Sequence, residues 1–144
     1  MTQKVSGLMV LLVIIALFTA CKTPQLAAGG IAPGLHKVTI LYPNGPGKTF
    51  NMDYYQQNHM PMMAAIIGSN LKFYEIDKCL SGRSGNDAPP YAAIGYFYIE
   101  SIGAYNDSIA KNRETVMADL PKYTNIQPEV FMSQVLKVEK LKAK

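Results

Sequence analysis

Residues Tyr91 to Ile99 read YAAIGYFYI, and this stretch decides the fold. Its two alternating sets are Tyr91, Ala93, Gly95, Phe97, Ile99 and Ala92, Ile94, Tyr96, Tyr98, and both are apolar or aromatic. A strand with two such faces belongs in the middle of a sheet. On the N-terminal side, His36 to Pro43 (HKVTILYP) also alternates, with Val38, Ile40 and Tyr42 on one face and Lys37, Thr39 and Leu41 on the other. Leu71 to Leu80 (LKFYEIDKCL) has the mixed polarity of an edge strand, and Glu129 to Val138 (EVFMSQVLKV) supplies a fourth.

Two helical patterns fill the gaps. Asn51 is placed to cap the first, Asp53 favours its positive end, and Met52, Tyr55, His59, Met63 and Ile66 form one stripe. Pro61 lacks an N–H and crowds the carbonyl four residues back, so a kink near His59 or a second short helix is expected. Gly68 can end it. Ser101 caps the other helix, which carries Ile102, Tyr105, Ile109 and Val116 inward and stops near Asp119-Leu120-Pro121. The order βαββαβ is α+β and ferredoxin-like: a four-stranded antiparallel sheet with two helices on one face.

Two helices cover only one face of such a sheet. The other would leave an apolar patch of several hundred Å², which soluble monomers rarely expose. A second copy packed sheet to sheet covers it most simply, so a homodimer is expected.

Within 144 residues and 15.8 kDa there is room for one domain. Apolar residues are 49% and charged residues 17%, a balance that excludes disorder from low hydrophobicity. The formal charge of +4 is misleading. It resides in Lys4, Lys22, Lys137, Lys140, Lys142 and Lys144, whereas basic and acidic residues nearly balance from His36 to Leu136. Nucleic acid needs a basic stripe on a folded face, so it is not an expected partner.

Residues 1–20 read as an export signal. Lys4 precedes the apolar run Leu8 to Ala20, whose 13 residues are too few to span a bilayer as a helix. Phe18-Thr19-Ala20-Cys21 resembles a bacterial lipobox, which implies lipidation of Cys21 and anchoring of the chain to the cell envelope, its domain outside the cytoplasm. Ordinary secretion and an uncleaved anchor are the alternatives. Residues 21–35 would be a flexible tether, with Lys22 to Leu35 spanning roughly 20 Å. Residues 36–138 form the domain and 139–144 a basic tail. Cys79 is left without a disulfide partner and is expected to be a small buried hydrophobe.

Three spaced segments resemble the EthD family. Lys37 to Pro43 followed by Phe50-Asn51-Met52-Asp53-Tyr54-Tyr55 and His59-Met60-Pro61 looks like its opening. Pro89 to Tyr98 is similar to its third strand, and Asp119-Leu120-Pro121-Lys122-Tyr123-Thr124-Asn125-Ile126-Gln127-Pro128 to its closing segment. The resemblance covers Lys37 to Leu136. It implies a dimeric α+β barrel with a pocket between sheet and helices, and a link to oxidative degradation of an alkyl ether as an accessory to an oxygenase. An oxidoreductase label attached to some members finds no dinucleotide-binding G-x-G-x-x-G here.

His59 is the imidazole inside the domain, and as a general acid/base it is the first catalytic candidate. Asp119 would orient it if the closing segment folds over the same pocket. Tyr42, Tyr54, Tyr96 and Tyr123 could supply phenolic donors to a carbonyl or phenolate, and Thr124 joins them as a ligand-binding candidate. The plainer possibility is a packed histidine, with Asp119 capping a turn and Tyr123 plugging the barrel. Haem would need His59 as an axial ligand, and other metals lack a second ligand at suitable spacing, so no cofactor and no metal is expected. Nine tyrosines and eight methionines suit a small apolar or aromatic ligand. Two functions remain open: a cofactor-independent enzyme moving a proton on a small carbonyl compound, and a non-catalytic binding or accessory lipoprotein.

Overall fold

The computed structural model describes residues 30–139; the expected export signal, Cys21, most of the expected tether and the last five residues lie outside them. Four strands, β1 (His36–Pro43), β2 (Leu71–Lys78), β3 (Tyr91–Ile99) and β4 (Glu129–Gln134), pair antiparallel in the order β2-β3-β1-β4. This is the ferredoxin-like sheet, with β3 central and β2 at an edge. Among the described residues no helix is long and apolar enough to cross a membrane.

Both edge strands are shorter than their sequence patterns. β2 stops at Lys78, which puts Cys79 just beyond it and half-buried rather than in the core. β4 stops at Gln134, where ladder pairing gives way to single bonds. Val135 N–H donates to Leu35 C=O at 2.8 Å, and Gly34 N–H to Val135 C=O at 2.9 Å. Gly34 and Leu35, expected to close a flexible tether, are therefore tied to the sheet.

The helices pack on the face formed by Val38, Ile40, Tyr42, Ala93, Phe97 and Ile99, all buried. The first helical segment has three parts: α1 (Met52–Tyr54), a π-turn (Tyr55–His59) and α2 (Met60–Ile67). Asn51 caps it by accepting the Tyr54 N–H at 3.0 Å. The kink expected from Pro61 takes the form of that π-turn. Met60 N–H bonds back to Tyr55 C=O, five residues away, and the wider turn relieves the pressure of Pro61 on the Gln57 carbonyl. The extra residue brings both His59 and Met60 into the interior. It also stacks the His59 ring on Tyr55, centroids 5.4 Å apart and planes within 16°.

The second helical segment is broken where one helix was expected. α3 (Ile102–Lys111) and α4 (Arg113–Asp119) meet at Asn112, whose side chain donates back to Ser108 C=O at 2.9 Å. Ser101 caps α3 as expected, accepting the Ala104 N–H at 3.2 Å.

Candidate active site

Three elements bring the site together. The π-turn delivers His59, the end of α4 delivers Asp119, and the segment after it delivers Tyr123. That segment is stitched to the loop before α1. Asn51 N–H donates to Tyr123 C=O at 2.7 Å, the Thr124 hydroxyl donates to Thr49 C=O at 2.7 Å, and Thr49 N–H donates to the Asn125 side chain at 2.9 Å.

The imidazole Nδ1 of His59 lies 2.8 Å from Asp119 Oδ2. The other carboxylate oxygen accepts the Tyr54 hydroxyl at 2.8 Å and faces Lys122 Nζ at 3.2 Å. On the far side of the ring, Nε2 is 3.3 Å from the Tyr123 hydroxyl, which is 2.9 Å from the Tyr42 hydroxyl. The result is a continuous chain from Lys122 and Tyr54 at the surface, through Asp119 and His59, to Tyr123 and Tyr42 in the core.

Burial lowers the His59 pKa, and the Asp119 hydrogen bond and charge only partly offset it. The ring is therefore neutral near pH 7. Asp119 is pushed up by burial, but hydrogen bonds from His59, Tyr54 and Lys122 outweigh this and hold it below the usual carboxylate range. A neutral imidazole beside a carboxylate carries its proton on Nδ1, leaving Nε2 as the basic atom. Burial raises Tyr42, Tyr55 and Tyr123 well above ordinary phenols, so these hydroxyls keep their protons. Tyr105 is pushed up to about 12 by burial.

A cavity of about 170 Å³ opens beside this chain, between the sheet and α2, α3 and α4. His59, Tyr42, Tyr55 and Tyr123 form its polar end. Its remaining wall is mostly apolar, including Ile40, Met63, Phe97 and Ile109, while Met117 and Val130, both half exposed, mark the mouth. For scale, an apolar protein cavity of roughly 150 Å³ accommodates benzene.

Of the residues singled out from sequence, His59, Asp119, Tyr42, Tyr54 and Tyr123 come together here. Tyr54 supports Asp119 from behind rather than lining the cavity. Tyr96 does not belong: it alternates with Gly95 and Phe97 and faces the opposite side of the sheet, where Lys37 Nζ sits 5.2 Å from its ring centroid. Thr124 does not reach the cavity either. Its hydroxyl is used locally, donating to Thr49 and accepting the Ile126 N–H at 3.0 Å.

Sequence reasoning missed three contributors. Lys122 looks like a solvated surface charge, although its spacing three residues after Asp119 was a signal. Tyr55 reads from the sequence only as part of the core stripe. Gly95 makes room for it: a Cβ there would lie 2.2 Å from the Tyr55 hydroxyl oxygen. Among the described residues no group of three or more His, Cys, Asp or Glu is placed to hold a metal ion.

A solved EthD-like protein from Ralstonia eutropha JMP134 superimposes with a TM-score of 0.70 and is 30% identical, the match covering 76% of this chain and 97% of that one. The chain belongs to the EthD family. An EthD family protein from Bacillus halodurans C-125 aligns at 10% identity and a TM-score of 0.49, over 69% of this chain and 97% of its own. No family model and no curated protein matches the chain. The EthD resemblance carried by the opening, third-strand and closing segments thus agrees with the structural match, and the opening and closing segments contain Tyr42, Tyr55, His59 and Tyr123 of the cavity's polar end, with Asp119 behind them.

Proposed function

We propose that this EthD-family protein is a cofactor-independent enzyme that moves a proton on a small apolar or aromatic carbonyl compound, as an accessory to oxidative degradation. The observation that carries the reading is the buried Asp119–His59 pair, with its basic Nε2 turned toward Tyr123 at the end of an apolar cavity. A carbonyl compound bound there would give an α-proton to Nε2. The C–H bond breaks, the N–H bond forms, and the electron pair moves onto the carbonyl oxygen. Once Nε2 is protonated, the Tyr123 hydroxyl no longer has an acceptor there and can turn to the developing enolate oxygen. Asp119 stabilises the imidazolium without taking its proton.

The alternative is a non-catalytic binding protein. It is favoured by one feature: Nε2 already has a partner inside the protein, as in a packed structural histidine. Deuterium exchange separates the two. Full-length protein incubated with acetophenone in D2O should label the methyl carbon faster than buffer does, and His59→Ala should remove the excess. No excess labelling by the unaltered protein would leave the binding role.

The reading includes a homodimer formed through the open sheet face, and attachment to the bacterial cell envelope through lipidated Cys21. In support of the first, Leu41, Ile94, Tyr96 and the half-exposed Phe131 share the face that carries no helix. The second rests on the lipobox-like Phe18-Thr19-Ala20-Cys21.

A further inference from the structure

We infer that Tyr105 is the residue that receives the ligand's oxygen, its hydroxyl donating to the carbonyl of a single-ring compound held in the cavity. This deepens the proposed function and rests on its reading of the cavity as the ligand site. Tyr105 stands on the first turn of α3, where its N–H donates to Ser101 C=O at 3.1 Å. Its side chain lines the cavity and the residue is only 8% exposed. It belongs neither to the hydrogen-bond chain that runs from His59 to Tyr42 nor to the cluster of rings around Tyr123. The hydroxyl lies inside rather than at the surface, since burial alone pushes it up to about 12. It therefore keeps its proton at neutral pH and has no partner among the described residues to share it with. A buried hydroxyl without a partner is uncommon because it forfeits its bonds to water.

The other polar groups of the cavity are accounted for. Asp119 as a carboxylate only accepts, so His59 donates through Nδ1 and its bare Nε2 takes the hydrogen of Tyr123. With that hydrogen spent, Tyr123 receives the one from Tyr42 across 2.9 Å. The Tyr55 hydroxyl is wedged over Gly95, within reach of Tyr42. Gln127 is exposed, and water serves its amide. A carbonyl entering the cavity gives up its own water and needs a donor from the start. Tyr123 is committed to Nε2 until the proton has moved, so Tyr105 meets that need. The volume of about 170 Å³ is about that of one ring, so a single molecule touches both His59 and Tyr105. Its bond to Tyr105 then fixes which carbon faces Nε2.

The test compares acetophenone with α-methylstyrene, which copies its shape with a CH2 group in place of the carbonyl oxygen. Both are titrated by ligand-observed NMR against full-length protein at pH 7. Tyr105→Phe should weaken acetophenone about three- to tenfold, the worth of one net hydrogen bond. It should leave α-methylstyrene within about twofold, which also shows the cavity intact. Equal losses for the two compounds would overturn the inference, as would unchanged acetophenone affinity. So would a loss specific to acetophenone that appears in Tyr55→Phe and not in Tyr105→Phe. Acetophenone labelling that persists unaltered in Tyr105→Phe would overturn it while leaving the proposed enzyme in place. A carbonyl preference that depends on Tyr105, found without any labelling, would sustain it while removing the catalytic reading.

Discussion

His59 Nδ1 and Asp119 Oδ2 meet at 2.8 Å across 60 residues of chain, both side chains nearly fully buried. A π-turn supplies one and the end of a broken helix the other, so neither is fixed by a flexible loop. The carboxylate sets the imidazole tautomer, and that in turn sets the direction of every hydroxyl behind it.

Asp119→Asn tests this coupling. An amide can present its NH2 group to Nδ1, which would put the imidazole proton on Nε2 and remove the base. Excess labelling of acetophenone should fall about 10²–10⁴-fold, the usual worth of a positioned general base. Circular dichroism should show the fold retained. Unchanged labelling would mean that the pair has no part in proton transfer.

The pH dependence follows from the lowered pKa of His59, caused first by burial. The unfolded chain takes up a proton near pH 6.5 and the folded one only below that. Stability should therefore be flat above about pH 6.5 and decline as pH falls, with a further loss below about 3.8 as Asp119 protonates. Thermal unfolding at pH 7.5, 6 and 5 measures the first decline, which His59→Gln should flatten. Labelling activity should fall along an acid limb whose midpoint lies below 6.5. A midpoint above that value would contradict a desolvated base.

Gly95→Ala should destabilise the domain by about 1–3 kcal/mol, because the new methyl would meet the Tyr55 hydroxyl. Removing that hydroxyl relieves the clash, so Gly95→Ala with Tyr55→Phe should recover much of the loss. Urea unfolding of the two single variants and the double variant checks the coupling. Simple additivity would mean that the two residues do not meet.

Phe131→Glu places a charge on the open sheet face, at the register position opposite Thr39. Sedimentation should show the unaltered protein as a dimer and the variant as a monomer at micromolar concentration. A monomeric unaltered protein would rule out sheet-to-sheet pairing.

Cys21→Ser should release the chain from bacterial membranes into the soluble envelope fraction. Continued sedimentation with membranes would argue against lipidation at this position.

The strand order was readable because alternation survives in β1 and the doubly apolar β3 forces a central place. Apolarity on both sides also hides something: nothing in YAAIGYFYI says which set faces the helices, so Tyr96 reads as a cavity candidate although the cavity lies across the sheet from it. Pro61 announced a distortion without saying which hydrogen-bond register would absorb it. Lys122 was obscured by its exposure, and the need for glycine at 95 arises only when Tyr55 arrives from another element. Asp119 and His59 were legible as chemically apt residues in spaced motifs, while their contact required the fold.

The π-turn has an evolutionary corollary. It amounts to an ordinary helix carrying one surplus residue, so deletion of a single codon among Gln56, Gln57 and Asn58 could restore a regular spiral. The wide turn takes up its surplus residue locally, so the flanking turns would keep their faces while only the residues between Tyr55 and Met60 shift. The imidazole would lose its place above Tyr55 while most of the scaffold survived, leaving gain or loss of this chemistry a single in-frame mutation away.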